Sequence, residues 1–122
     1  MATMEEKDAI IQKKLQEVRD RIEDAKYTIR SNERTIDSLL VWRPTPKQQE
    51  EIRQLDEISD REQEYIDANE PILERLEELT KALEEAKARF KEYKDIFEYL
   101  ELEEAVDKIR TEMEEEVKKF TK

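Results

Sequence analysis

Leu39-Leu40-Val41-Trp42-Arg43-Pro44-Thr45-Pro46-Lys47-Gln48 is the stretch that decides the fold. Pro44 disfavours helix at Arg43 and removes a backbone donor, so a helix arriving from the N-terminal side ends near Val41. Thr45 then reads as an N-cap. Pro46 suits the first helical position, and Gln48 is the capping-box partner of Thr45. A turn is predicted at residues 42–46, and a connection this short makes the flanking helices antiparallel neighbours.

N-terminal to the turn, apolar residues step by four and three: Ile11, Leu15, Val18, Ile22, Ala25, Ile29, then Ile36 and Leu39. Leu15, Ile22, Ile29 and Ile36 take heptad position a, and Ile11, Val18, Ala25 and Leu39 take d. Only Asp8 and Asn32 interrupt the pattern. Thr3 with Glu6 fits a capping box. Helix 1 is therefore predicted over about residues 4–41, roughly 58 Å long at ~1.5 Å per residue. Its seam is narrow and suits one partner helix.

C-terminal to the turn, a second heptad begins at Leu55 and runs through Ile58, Glu62, Tyr65, Asn69, Ile72, Leu76, Leu79, Leu83, Ala86, Phe90, Tyr93, Phe97 and Leu100. Its phase passes Pro71 without a slip, which favours a kinked continuous helix. The alternative is a hairpin with Asn69 capping a new helix. Helix 2 is expected over about 46–69, a kink or turn near Pro71, and helix 3 over about 71–120. Ile52, Ile66 and Leu73 at position e widen the apolar face, the mark of a helix touching two neighbours. Near 100–102 the pattern changes phase, to Leu102, Val106, Ile109, Met113, Val117 and Phe120.

Lengths narrow the topology. Helix 1 offers about 38 residues of partner surface against about 75 from Pro46 to Phe120, so a single hairpin leaves half of the second arm bare. The Phe90–Phe120 stripe must fold back or pair with another chain, since so much exposed apolar surface finds a partner or aggregates. The predicted fold is all-α: one helical domain over 1–122, an elongated antiparallel helical hairpin or three-helix coiled-coil bundle.

Composition removes most site chemistry. The 122 residues carry 34 acidic and 23 basic side chains, net charge −11, with no Gly, Cys or His. Without Cys there is no disulfide or thiolate, and without His no imidazole base and no common zinc ligand set. Without Gly no phosphate-cradling loop can be written. No apolar run approaches the ~20 residues of a membrane span, and no signal peptide opens the chain. The cytoplasm is the expected compartment.

Carboxylates are the abundant groups. Glu74/Glu77 with Glu92/Asp95 resemble the metal-binding pattern of all-α nucleotide pyrophosphohydrolases, the MazG-like group, and that resemblance implies a Mg²⁺-dependent enzyme. Heptad phase opposes it: these acids fall at b, c and f, where four carboxylates do not converge on one ion. A ferritin-like di-iron site needs a His that is absent. The two arms around a mid-chain turn resemble prefoldin-type chaperone subunits in outline, but Trp42–Pro46 lacks the strands that those insert. The expectation is no enzyme, no catalytic or metal residue and no cofactor.

Interaction features remain. Asn32 at d, with Glu62 and Asn69 at a, are polar where Leu is expected; such residues specify register. Basic residues flank both seams at e and g (Lys14, Arg19, Arg21 and Lys26; Arg61, Arg75, Lys87, Arg89 and Lys94), so they must reach the neighbour's b or c acids. Residues 50–70 and 98–116 each hold nine acids and two bases. The second run comprises Glu98, Glu101, Glu103, Glu104, Asp107, Glu112, Glu114, Glu115 and Glu116. Trp42 either closes the hairpin end against Leu39 and Leu40 or projects with Arg43 as a docking hot spot. Phe90, Tyr93, Phe97 and Leu100 are the other candidate partner-binding residues.

The expected function is a non-enzymatic protein–protein interaction or scaffold protein that works through its helical seams, with a protein partner or its own copies forming an oligomer. The alternative is an acidic inhibitor of phage or viral anti-defence type, imitating nucleic acid to block a nucleic-acid-binding protein. Direct nucleic-acid binding is not expected, because phosphate contacts need a basic patch. Nor is a membrane contact.

Overall fold

The computed structural model describes residues 3–121 and contains three helices: α1 (Met4–Leu40), α2 (Pro46–Arg89) and α3 (Ile96–Val117). Among the described residues there is no strand, and the fold is all-α with the three helices packed on one another. The helix starts are chemically explicit. The Thr3 hydroxyl accepts from the Glu6 N–H at 3.1 Å. Thr45 and Gln48 complete a reciprocal box, with Gln48 N–H donating to Thr45 Oγ1 at 3.2 Å and Thr45 N–H to Gln48 Oε1 at 2.9 Å.

Pro71 lies inside α2, which is one uninterrupted helix across it. Its missing N–H costs one helical hydrogen bond. Asn69 before it and Leu73 after it are both buried. A hairpin at Pro71, the alternative left open by the sequence, is therefore absent. The expected helix 3 over 71–120 is also corrected. The chain turns at residues 90–95, well after Pro71, and α3 begins at Ile96. The turn forms without a single positive-φ residue. Phe90, Lys91 and Glu92 N–H groups donate to the Lys87, Ala88 and Arg89 carbonyls at 3.0–3.2 Å, tightening the helix end into 3₁₀-type geometry.

The chain divides into two compact units: residues 3–16 with Pro71–Phe120, and Glu17–Glu70 with Thr121. The first is a three-helix bundle. Ile11 and Leu15 of α1, Leu73, Leu76, Leu79, Leu83 and Ala86 of α2, and Leu102, Val106 and Met113 of α3 form its core. The phase change after Leu100 marks the stripe by which α3 packs inward. One carboxylate ties all three helices together: Asp8 accepts from Lys87 Nζ at 3.1 Å and from Arg110 Nη2 and Nε at 2.9 and 3.3 Å. Arg75 reaches Glu112 at 3.4 Å between α2 and α3.

The second unit is a two-helix hairpin. Val18, Ile22, Ala25 and Ile66 are its buried apolar residues, with Asn32 and Asn69 also buried. On α2 its seam runs along positions a and e. Ile66 is buried, while Tyr65 is half-buried and Ile58 is exposed, so the expected a/d seam turns by one position here. Asn32 fixes that register, because its amide donates to the Leu55 carbonyl at 3.3 Å and to Ser59 Oγ, at position e, at 3.1 Å. Two basic flanks find acids on the facing helix: Lys26 pairs with Glu70, at position b, at 3.0 Å, and Arg21 with Glu62, at position a instead of the expected b or c, at 2.6 Å.

Candidate protein-interaction surface

The first turn of α3 is set by Asp95. This residue is extended (φ −150°, ψ 173°), and its carboxylate accepts from the Glu98 N–H at 2.8 Å. Glu98 in turn accepts from the Lys94 N–H at 3.1 Å. Two donors at the helix start are thereby satisfied, as in a capping box. The buried stripe of α3 fixes its rotation. With Leu102, Val106 and Met113 inward, the ~100° advance per residue sends Phe97 and Leu100 outward.

Exposure follows that geometry. Phe97 is 74% exposed, Ile96 60%, and Tyr93 and Leu100 49% each. The aromatics of the turn divide between two tasks. Tyr99 is edge-on to both Phe90 and Tyr93, at centroid distances of 5.4 and 5.2 Å, which braces the turn from within. The four aromatic and aliphatic candidates are thus not one surface. Phe90 is half-buried in the brace, Tyr93 is shared, and Phe97 and Leu100 face solvent. Ile96 joins the outward pair, a residue that the heptad count passed over because it lies off the a/d stripe.

The nine acids of the 98–116 run also divide. Glu98 is spent on the cap. Half-buried Glu112 and Glu116 pair with Arg75 and Lys119. Glu101, Glu103, Glu104, Asp107, Glu114 and Glu115 are exposed. At the hairpin tip Arg43 is exposed and Trp42 is 81% exposed, with Val41 at 70%. Trp42 therefore does not close the hairpin end against Leu39 and Leu40.

The seam polars serve packing. Asn69 is fully buried and satisfied: its amide donates to the Tyr65 carbonyl at 2.9 Å and to Thr121 Oγ1 at 3.0 Å, and its oxygen accepts from the Thr121 N–H at 2.8 Å. Glu62 Oε2 is sealed from solvent, and among the described residues no donor aligns with it. Its compensation is charge, from Arg21 Nη1 at 2.6 Å. The Glu62 carboxylate holds the Arg21 guanidinium above its usual pKa despite some burial. Arg21 also lies over the Tyr65 ring, 4.5 Å from its centroid. Burial pushes the Tyr65 phenol up, with the Arg21 charge opposing.

Arg21, Glu62 and Tyr65 border a concavity of about 640 Å³, with Ile58, Arg61 and Thr121. Its one close-set charged pair is engaged with itself. Glu74, Glu77, Glu92 and Asp95 are all exposed, and Asp95 serves as a cap. Among the described residues no three acidic groups converge to hold a metal ion. No helix among them is long and apolar enough to cross a membrane. Comparison with known protein families, curated proteins and solved structures gives no match.

Proposed function

We propose that this chain is a non-enzymatic protein-interaction module, a small helical scaffold that engages a protein partner or its own copies through the start of α3. The observation that carries this is the outward cluster of Phe97, Ile96 and Leu100, with Phe97 at 74% exposure on a helix start rigidly set by Asp95. Large apolar side chains grouped on a firm element are what buried interface anchors look like before the partner arrives. The seams themselves are filled within the chain, so association through this surface needs no opening of the bundle.

The test is a photo-crosslinking amino acid at position 97, read together with sedimentation of wild type and a Phe97→Ser/Leu100→Ser pair. The proposal expects a crosslinked product, and an assembly that the pair abolishes while helicity stays unchanged. A wild type that stays monomeric and uncrosslinked in its native lysate overturns it. A second reading, an acidic inhibitor occupying the groove of a nucleic-acid-binding protein, draws support from the six exposed carboxylates of α3. Binding of that kind falls steeply with salt, whereas anchoring on Phe97 changes little with salt.

A further inference from the structure

On the side of α3 away from its buried seam, Phe97, Leu100, Glu104, Asp107, Thr111 and Glu115 follow at steps of three and four. That spacing places them in one stripe, and all six are exposed. The stripe runs ~27 Å, at ~1.5 Å per residue. It is apolar for its first turn and acidic afterwards. Its borders continue the pattern, with Ile96 beside the apolar end and Glu101, Glu103 and Glu114 along the rest. Lys108 is the one exposed base of α3, since Arg110 is half-buried and committed to Asp8.

We infer that this stripe is a receptor for a cationic amphipathic helix, one with two or three large apolar residues at one end and Lys or Arg at steps of three and four along the rest. The inference rests on the interaction role proposed above and names the partner's chemistry. Charge layout selects this occupant over a second copy. Parallel pairing of two α3 stripes sets carboxylate against carboxylate. Antiparallel pairing sets Phe97 against Glu115, Leu100 against Thr111 and Glu104 against Asp107. A basic helix instead places apolar on apolar and Lys on Glu, which steers the encounter and fixes the register at once.

The probe is a fluorescein-labelled amphipathic peptide of Leu and Lys, about 20 residues long to span the stripe. A Lys-only peptide of equal charge and a Leu/Glu peptide of the same pattern serve as controls. Fluorescence anisotropy with the full-length protein reads the binding. The Leu/Lys peptide should bind about tenfold or more tightly than the Lys-only one, and the Leu/Glu peptide should not bind. Phe97→Ser/Leu100→Ser and Glu104→Lys/Asp107→Lys should each weaken binding about tenfold. Asp56→Lys/Asp60→Lys, which changes as much charge on α2, should leave it within about twofold.

Peptide binding indifferent to Phe97 and Leu100, or weakened equally by the α2 charge reversal, overturns the inference, because general acidity then explains it. If position 97 crosslinks two copies of the chain and no peptide binds, the interaction role stands and the cationic helix is wrong. If position 97 crosslinks to nothing and no peptide binds, both fail.

Discussion

Removing the Asp8 carboxylate should unfasten the three-helix unit. Asp8 sits at heptad position a of α1, where Leu is the norm, and its side chain is 17% exposed. It accepts three hydrogen bonds, two of them from Arg110, whose side chain is 16% exposed. Asp8→Ala leaves that guanidinium with no acid in place and creates a small void. Breaking a fully buried pair costs ~3–5 kcal/mol, while an exposed pair contributes ~0–1 kcal/mol. At this partial burial, with Lys87 a third exposed and discounted for solvent, about 2–3 kcal/mol is expected, or roughly 8–12 °C in Tm for a domain of this size. Burial alone raises the Asp8 pKa, but the hydrogen bonds and charges of Arg110 and Lys87 outweigh it and hold the carboxyl below its usual 3.8. The folded state therefore binds this proton less tightly than the unfolded chain. The stabilisation is full above the unfolded value and is lost as pH falls through the folded one. Thermal melts of wild type and Asp8→Asn across acid pH should converge as that limb is crossed. An Asp8→Leu/Arg110→Leu pair should recover much of the loss, because apolar replacement removes both desolvation costs. A change below ~0.5 kcal/mol for Asp8→Ala would refute the reasoning and reduce the triad to an ordinary surface contact.

Pro71→Ala should raise stability by about 1–3 kcal/mol in urea unfolding, because it restores a helical donor and removes a ring clash inside α2. Asn69→Ala should cost about 1–3 kcal/mol by leaving buried groups unpaired; amide exchange at Thr121, whose N–H donates to Asn69 at 2.8 Å, should accelerate in the same variant. Asp95→Ala removes the α3 cap and should cost ~1 kcal/mol, with fraying confined to the first turn of α3 in amide exchange.

The all-helical fold and the turn chemistry of Thr45 and Gln48 were legible because they are local: propensity, two prolines and a reciprocal cap act within four residues. The second turn was not, because its signals compete. Asp95-Ile96-Phe97-Glu98 carries the acid-x-x-Glu signature of a helix start, and Lys87 and Arg89 suit a helix end. Yet Phe90, Tyr93, Phe97 and Leu100 continue the α2 heptad in register, and no Gly, Pro or Asn punctuates the turn. The aromatic spacing that reads as one more seam is in fact the brace of a turn, with Tyr99 between Phe90 and Tyr93. Asp8 shows the same limit from the other side. As a lone acid at position a it looks like a flaw in the heptad, and its meaning appears only when Lys87 and Arg110 are brought in from two other helices.

Where the turn falls also decides where the chain can bind. A helix running unbroken from Pro71 to Phe120 has no covering partner beyond the reach of α1, and its Phe90–Phe120 stripe would demand another chain along its whole length. Ending α2 at Arg89 lets α3 return along it, and Leu102, Val106 and Met113 are then covered from within. On α3 the large apolar residues that stay uncovered are those that rotation carries past the edge of the core: Ile96, Phe97 and Leu100, at the point where α3 has begun but its inward stripe has not. The inward stripe of α3 sets which side chains are left facing outward, and the Asp95 cap keeps Phe97 within a formed first turn. Fold and binding surface are coupled through Asp95, and a fraying cap should weaken partner binding at Phe97 without any contact between Asp95 and the partner.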